Sequence, residues 1–144
     1  MRINRHGQYA LLLTFYLCRS GQTNLKAVSE NLGLSLAFLE QVARKLRIAG
    51  VIKSVRGPGG GYSLRIDPTV KEVLQAVTNI QVIKESENTA YRRKSPEYRT
   101  LAFFAGKMST AMRTVLDRRV RTVGEELTKS ETQLLTVRHL ETGH

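Results

Sequence analysis

The chain has 144 residues, 41% of them hydrophobic, with a formal net charge of +11 and a pI of about 10.3. That length suits one compact domain with an appendage, and the apolar share is too high for a disordered chain. No apolar run approaches the length of a membrane-spanning helix; the single cysteine, Cys18, excludes an intrachain disulfide and cannot hold a structural zinc or an iron–sulfur cluster unaided.

The opening stretch, MRINRHGQYALLLTFYLCRS, imitates a secretory leader by being basic and then apolar. Tyr9 and Tyr16 interrupt the apolar run, Arg19 ends it, and no small-x-small cleavage pattern follows. It is expected to be the amphipathic first helix of a cytoplasmic protein, over residues 6–19, with Leu12, Phe15, Tyr16 and Arg19 at helical spacing. Gly21 ends it. After the polar QTN, a second short helix is expected over about 24–32, its buried face marked by Leu25, Val28 and Leu32. Gly33 stands where a helix C-terminus wants a left-handed residue.

Ser35 can cap a third helix running to about Ala49, with the stripe Leu36, Leu39, Val42, Ala43 and Leu46, stopped by Gly50. Helix, short glycine turn, helix is the helix-turn-helix signature, although any helical bundle can contain a similar hairpin. The outward face carries Ala37, Phe38, Glu40, Gln41, Arg44, Lys45 and Arg47, and is predominantly basic. In helix-turn-helix proteins the start of the second helix reaches base edges in the major groove. Gln41 suits adenine and Glu40 suits the cytosine N4 amine. Phe38 suits either a thymine methyl or the core.

The strand-like run VIKSV, the loop RGPGGG and the strand-like run YSLRI follow. A phosphate-cradling loop would need a lysine after the glycines, and none is there; the dinucleotide fingerprint fails because its last position is Tyr62. A flexible linker would not be enclosed by Val51, Ile52 and Val55 on one side and Tyr62, Leu64 and Ile66 on the other. Two short strands after a recognition helix make a wing. Its glycines, Gly57, Gly59 and Gly60 among them, would let the backbone approach a duplex, and Arg56 would enter a narrow minor groove. Charge placement agrees with a polyanionic partner: residues 1–66 hold ten Lys/Arg against two acids, residues 67–144 thirteen against ten.

Thr69 and Glu72 form a capping box for a fourth helix with the apolar face Val70, Val73, Leu74 and Val77. Residues 79–95 lose periodicity and are expected to be an exposed connector without cysteine. Ser95 and Pro96 start a long helix expected to reach about Val120, with the stripe Leu101, Phe104, Ala105, Met108, Met112, Val115, Leu116 and Val120. So long a helix has little of its own domain to pack on, which points to dimerisation through Leu101, Phe104, Met108, Met112, Val115 and Leu116. Thr122 and Glu125 are expected to cap a last short helix, with a frayed tail after Lys129.

The segments MRINRHGQYAL, LSLAFLEQVARKLRIAGVIKSV, RGPGGGY and, near the end, TVGEEL make the chain resemble the Rrf-two, IscR-like family of bacterial transcription regulators. The resemblance implies a mainly α fold with a small β-hairpin: a winged helix-turn-helix domain (1–78), a connector (79–95), a dimerisation helix with a short closing helix (96–130) and a flexible tail (131–144). It implies a homodimer on a palindromic operator in double-stranded DNA, acting as a repressor or dual regulator. Ala37, Phe38, Glu40 and Gln41 would read the major groove, and Arg56 and the wing glycines the minor groove. Arg2, Ser35, Arg44, Lys45, Lys53 and Tyr62 complete the expected DNA-binding set. Many members hold an iron–sulfur cluster on three connector cysteines. The connector here has none, so no cofactor is expected, and the signal would be another effector or a partner protein. Cys18 suits a small buried apolar residue or, alternatively, a redox-sensitive thiol or an intersubunit ligand. His6, His139 and His144 show no metal spacing. A competing reading is a winged-helix module that docks a protein partner; an enzyme is not expected, since no carboxylate pair or nucleophile–base set is present.

Overall fold

Asn4 starts the chain's first helix: its side-chain oxygen accepts the Gly7 N–H at 2.9 Å, meeting one of the donors that a helix N-terminus leaves open. The computed structural model describes residues 3–79 and 95–142. Six helices and one hairpin follow in the order α1 (Arg5–Ser20), α2 (Leu25–Leu32), α3 (Leu36–Ile48), β1 (Ile52–Val55), β2 (Gly61–Leu64), α4 (Val70–Val77), α5 (Pro96–Leu116) and α6 (Val120–Thr142). This is a winged helix-turn-helix with two long C-terminal helices.

The helix ends obey local chemistry. Gly33 closes α2 at φ +65°, in the left-handed region that side chains disfavour. Ser35 caps α3 by accepting the Phe38 N–H. At α4 the Thr69 hydroxyl accepts the Glu72 N–H at 3.1 Å, and the Glu72 carboxylate accepts the Thr69 N–H at 2.8 Å. Ser95 and Pro96 open α5 as their chemistry dictates.

One core binds α1, α2, α3, the hairpin and α4. Leu13 and Leu17 of α1, Val28 of α2, Leu39, Val42 and Leu46 of α3, Ile52 of β1 and Val73 of α4 are buried in it. Each such side chain contributes about 1.5–3 kcal/mol on leaving water. The buried face of α1 is Gly7, Ala10, Leu13, Thr14 and Leu17, so the row Leu12, Phe15, Tyr16 and Arg19 is not its deepest face. Leu32 and Leu36, expected in the core, are 38% and 37% exposed, because each lies at a helix end that overhangs it.

The long C-terminal helix expected from the pattern is two helices. α5 stops at Leu116, and Arg118–Val120 run beside Pro68–Val70 instead: Val70 N–H donates to the Arg118 carbonyl and Val120 N–H to the Pro68 carbonyl, each at 2.9 Å. The Arg119 guanidinium adds a bond to the Asp67 carbonyl. Four-residue periodicity cannot announce this break, because the interruption is made by a segment fifty residues earlier. Val120 therefore begins α6, where it is fully buried. Thr122 lies inside the first turn of α6 and caps nothing, and the helix runs on to Thr142 rather than ending near Lys129. The connector lies, but for Asn79 and Ser95, outside the described residues.

The expected α5 stripe merges two faces. Ala102, Ala105, Gly106 and Met112 are half-buried, and Ser109 and Leu116 buried, on one side. Leu101, Phe104, Met108 and Val115 are 46–61% exposed on the other.

Candidate nucleic-acid interface

The outward face of α3 is open to solvent: Ala37, Glu40, Gln41, Arg44, Lys45 and Arg47 are all exposed. The inward positions Leu39, Val42, Ala43 and Leu46 set the roll of the helix, and hence present that face. The α2–α3 turn is held tightly. The Leu34 N–H donates to the Ser29 carbonyl, and the Ser29 hydroxyl donates to the Leu34 carbonyl at 2.6 Å.

Phe38 is not a free probe. Its ring packs edge-on to Tyr9 (centroids 4.6 Å apart, 75°) and tilted to His6 (4.7 Å), and the Arg5 guanidinium lies 4.5 Å above it. Phe38 is half-buried, as the packed-aromatic expectation has it. Tyr9 also accepts the Ser35 N–H at 3.1 Å through its hydroxyl. That bond, followed by one to Arg5, pulls the Tyr9 hydroxyl below its ordinary pKa.

The wing is an antiparallel pair with Val55 opposite Gly61 and Ile52 opposite Leu64. Lys53, Arg56, Gly57, Pro58 and Gly59 are exposed, so Arg56 stands at an open tip, and Tyr62 is half-buried. The wing glycines also have intramolecular work. Gly57, Gly59 and Gly61 take φ of +99°, +71° and +151°. A side chain on Gly60 would strike the Val55 and Gly57 carbonyls, and one on Gly61 the Thr23 carbonyl. The close approach at Gly61 lets the wing dock on the α1–α2 loop: Thr23 N–H donates to the Tyr62 carbonyl at 3.0 Å, and Tyr62 N–H to the Thr23 carbonyl at 2.7 Å. The Gln22 side chain donates to the Gly59 carbonyl. Helix-turn-helix and wing are thereby joined. Arg2 lies outside the described residues.

The sequence assigned no role to Arg5, Tyr9, Gln22 and Thr23, and His6 was weighed only as a metal ligand. Tyr9 registered only as a break in an apolar run, and QTN only as a polar connector. A side chain whose partner is distant in sequence leaves no periodic signal.

Cys18 is half-buried on α1, facing a cleft of about 620 Å³ between α1, the end of α2 and α6, with Leu12, Phe15, Leu32, Arg121 and Leu127 among its walls. Burial pushes its thiol up; Arg121 offsets part of that, and Asp67 adds to it. This is the opposite of a poised thiolate. Among the described residues, no three His, Cys, Asp or Glu side chains come together as metal ligands, and no helix is long and apolar enough to cross a membrane.

The Rrf2 family model, described as an iron-dependent transcriptional regulator, matches residues 3–120. The HTH-type transcriptional regulator IscR of Vibrio cholerae is 46% identical over 70 residues, which cover 46% of this chain and 40% of that protein. IscR of Klebsiella pneumoniae is 41% identical over 83 residues, covering 54% and 51%. The chain thus spans about half the length, or less, of these curated relatives. Among solved structures, CymR, the global cysteine regulator of B. subtilis, aligns at 27% identity and a TM-score of 0.69 over 88% of this chain and 98% of that one. T. potens IscR aligns at 25% identity and a TM-score of 0.65, over 88% of each chain. The residues here do not fit a cluster held by three cysteines, because the whole chain has one and it sits on α1.

Proposed function

Because the chain belongs to the Rrf2 family of transcriptional regulators, a family of regulators rather than enzymes, we propose that it is a homodimeric, sequence-specific DNA-binding regulator, acting as a repressor in the cytoplasm. The observation that carries the proposal is the pairing of an open, basic α3 face with an exposed Arg56 on a wing that is bonded to the same domain. Ala37, Glu40 and Gln41 sit in the first turns of α3, where base edges are reached in this motif. Gln41 would pair with adenine and Glu40 would accept from cytosine. Arg44, Lys45 and Lys53 would meet phosphates, so affinity falls as salt rises. Arg56 would enter the minor groove.

Two copies would place their α3 helices in successive major grooves of a palindromic operator, about 34 Å apart. The outward α5 row, Leu101, Phe104, Met108 and Val115, supports self-association, since a monomer rarely leaves so continuous an apolar row in water. Met112 and Leu116 would serve the interface less, as they turn toward the chain's own domain. The protein would act without the family's cluster, its signal being a small effector or a partner protein. A visible spectrum of anaerobically purified protein tests this: a cluster absorption band would refute it.

Selecting duplexes from a random pool, followed by electrophoretic titration, tests the function itself. Arg56→Ala is expected to weaken binding to the selected duplex by about 1–3 kcal/mol. Unchanged affinity would remove the minor-groove role. A substitution of Glu40 should change which bases are preferred more than overall affinity; an equal loss on all sequences would refute base reading there. Salt-insensitive binding to a protein partner, with no duplex affinity, would replace the proposal altogether.

A further inference from the structure

The first turn of α3 carries Ala37 and leads directly into Glu40 and Gln41, the residues placed to read bases. Leu39, Val42, Ala43 and Leu46 anchor the helix in the core, whereas the three residues before Leu39 are not buried: Leu36 and Ala37 are exposed and Phe38 is half-buried. Besides the Ser29–Leu34 bonds to α2 and the buried Leu39, contacts from α1 hold this turn. The Tyr9 hydroxyl accepts the N–H of Ser35, the residue that itself caps α3. Phe38, one turn on, is clasped between the Tyr9 and His6 rings under the Arg5 guanidinium. Arg5 also reaches over the Tyr9 ring at 5.5 Å. A cation beside a helix N-terminus works against the helix dipole, so general electrostatics does not account for Arg5 being there. Stacking on two aromatic faces does.

We propose that Tyr9 and Arg5 are positioning residues for base recognition: the Ser35–Tyr9 hydrogen bond and the Arg5–Phe38–Tyr9 stack latch the first turn of α3 to α1, and so set how Ala37, Glu40 and Gln41 meet a duplex. The inference deepens the DNA-binding reading above and rests on it. Tyr9 and Arg5 act through Ser35 and Phe38, and neither need touch a base. A loosened first turn would still bring the basic face to phosphates, so sequence-independent binding survives while discrimination is lost.

The test compares each variant on the duplex selected by the wild-type protein and on a scrambled duplex of the same length. Tyr9→Phe removes only the hydroxyl. It is expected to lower the ratio of selected to scrambled affinity about three- to ten-fold, the range for one hydrogen bond, with scrambled affinity and salt slope unchanged. Arg5→Lys keeps the charge but loses the flat guanidinium face, and is expected to lower the same ratio. Val77→Ala, which weakens the core from α4, should leave the ratio intact when measured well below its melting temperature. Amide exchange at Ser35 and Phe38 should quicken in Tyr9→Phe and not in Val77→Ala. An unchanged ratio in both Tyr9→Phe and Arg5→Lys, with wild-type discrimination intact, overturns the latch alone. A wild-type protein that does not discriminate between duplexes overturns the DNA-binding reading and the latch with it.

Discussion

Replacing Gly61 by alanine should detach the wing from the α1–α2 loop, and its cost can be worked from the geometry. Gly61 sits at φ +151°, a conformation almost confined to glycine, and its missing side chain is what allows the Thr23 carbonyl to approach. The strain of an alanine there is about 1–3 kcal/mol. The added methyl also forces the Thr23–Tyr62 pair apart, forfeiting two backbone hydrogen bonds of about 0.5–1.5 kcal/mol each. The total, about 2–6 kcal/mol, is a large part of the 5–15 kcal/mol typical of a folded domain. Gly59 supplies the comparison. It too has positive φ, at +71°, but an added Cβ would meet nothing within 4 Å. Gly59→Ala should therefore cost only the left-handed backbone penalty, about 1–2 kcal/mol. Urea unfolding of both variants, read by circular dichroism, gives the two free energies. If Gly61→Ala costs no more than Gly59→Ala, the docking of the wing on Thr23 does not contribute to stability. Duplex binding adds a second readout: Gly61→Ala should lose operator affinity even where it remains folded.

Phe104→Glu should shift the protein to monomer in sedimentation velocity; since Phe104 is 61% exposed in one chain, monomer stability should change by no more than about 0.5 kcal/mol, and a persisting dimer would exclude the outward α5 row as the interface. Gly124→Ala in α6, where a Cβ would enter open space, should raise stability by about 0.5–1 kcal/mol in the same unfolding assay; destabilisation would mean that Gly124 faces something closely packed. For Cys18, a pKa raised by burial means a smaller thiolate fraction at neutral pH than in a free thiol. Alkylation by iodoacetamide should be slow at neutral pH and still be accelerating above about pH 8.5, the midpoint of an unperturbed cysteine. A rate that levels off below that pH would restore Cys18 as a reactive thiol.

The helix-turn-helix was legible because its signals are local. Gly33 must be left-handed to end α2, Ser35 must accept a backbone N–H to start α3, and Thr69 with Glu72 closes its own box, all within four residues of chain. The α3 stripe from Leu39 to Leu46 reports its buried face by spacing alone, and the basic residues between those positions are outward by exclusion. The wing was legible by its strand-like flanks. The family resemblance rested on the same segments, and the matched relatives bear it out.

Less of the candidate site could be read. Phe38 alternates with core positions just as a solvent-facing residue would, and nothing near it in sequence announces Arg5, His6 and Tyr9, thirty residues earlier. α1 is apolar on several sides, so periodicity could not choose between the row at Leu12 and the row at Leu13; packing against α3 and α4 chose the second. α5 carries a small-residue face toward its own domain beside a large-residue face outward, and a single stripe drawn through both concealed the difference.

The amino-acid order by itself determined where helices start and stop when the cap is within one turn, which face of α3 is basic, and that no connector cysteine can ligate a cluster. Tertiary structure alone decided that α5 breaks at Asp117, that Gly61 lets the hairpin dock on Thr23, and that α1 clasps the start of α3. The reason is the range of the interactions. A cap is completed by residues three or four apart and is written into the local sequence, whereas the bonds from Thr23 to Tyr62, Tyr9 to Ser35 and Val120 to Pro68 exist only once the core has brought distant segments together.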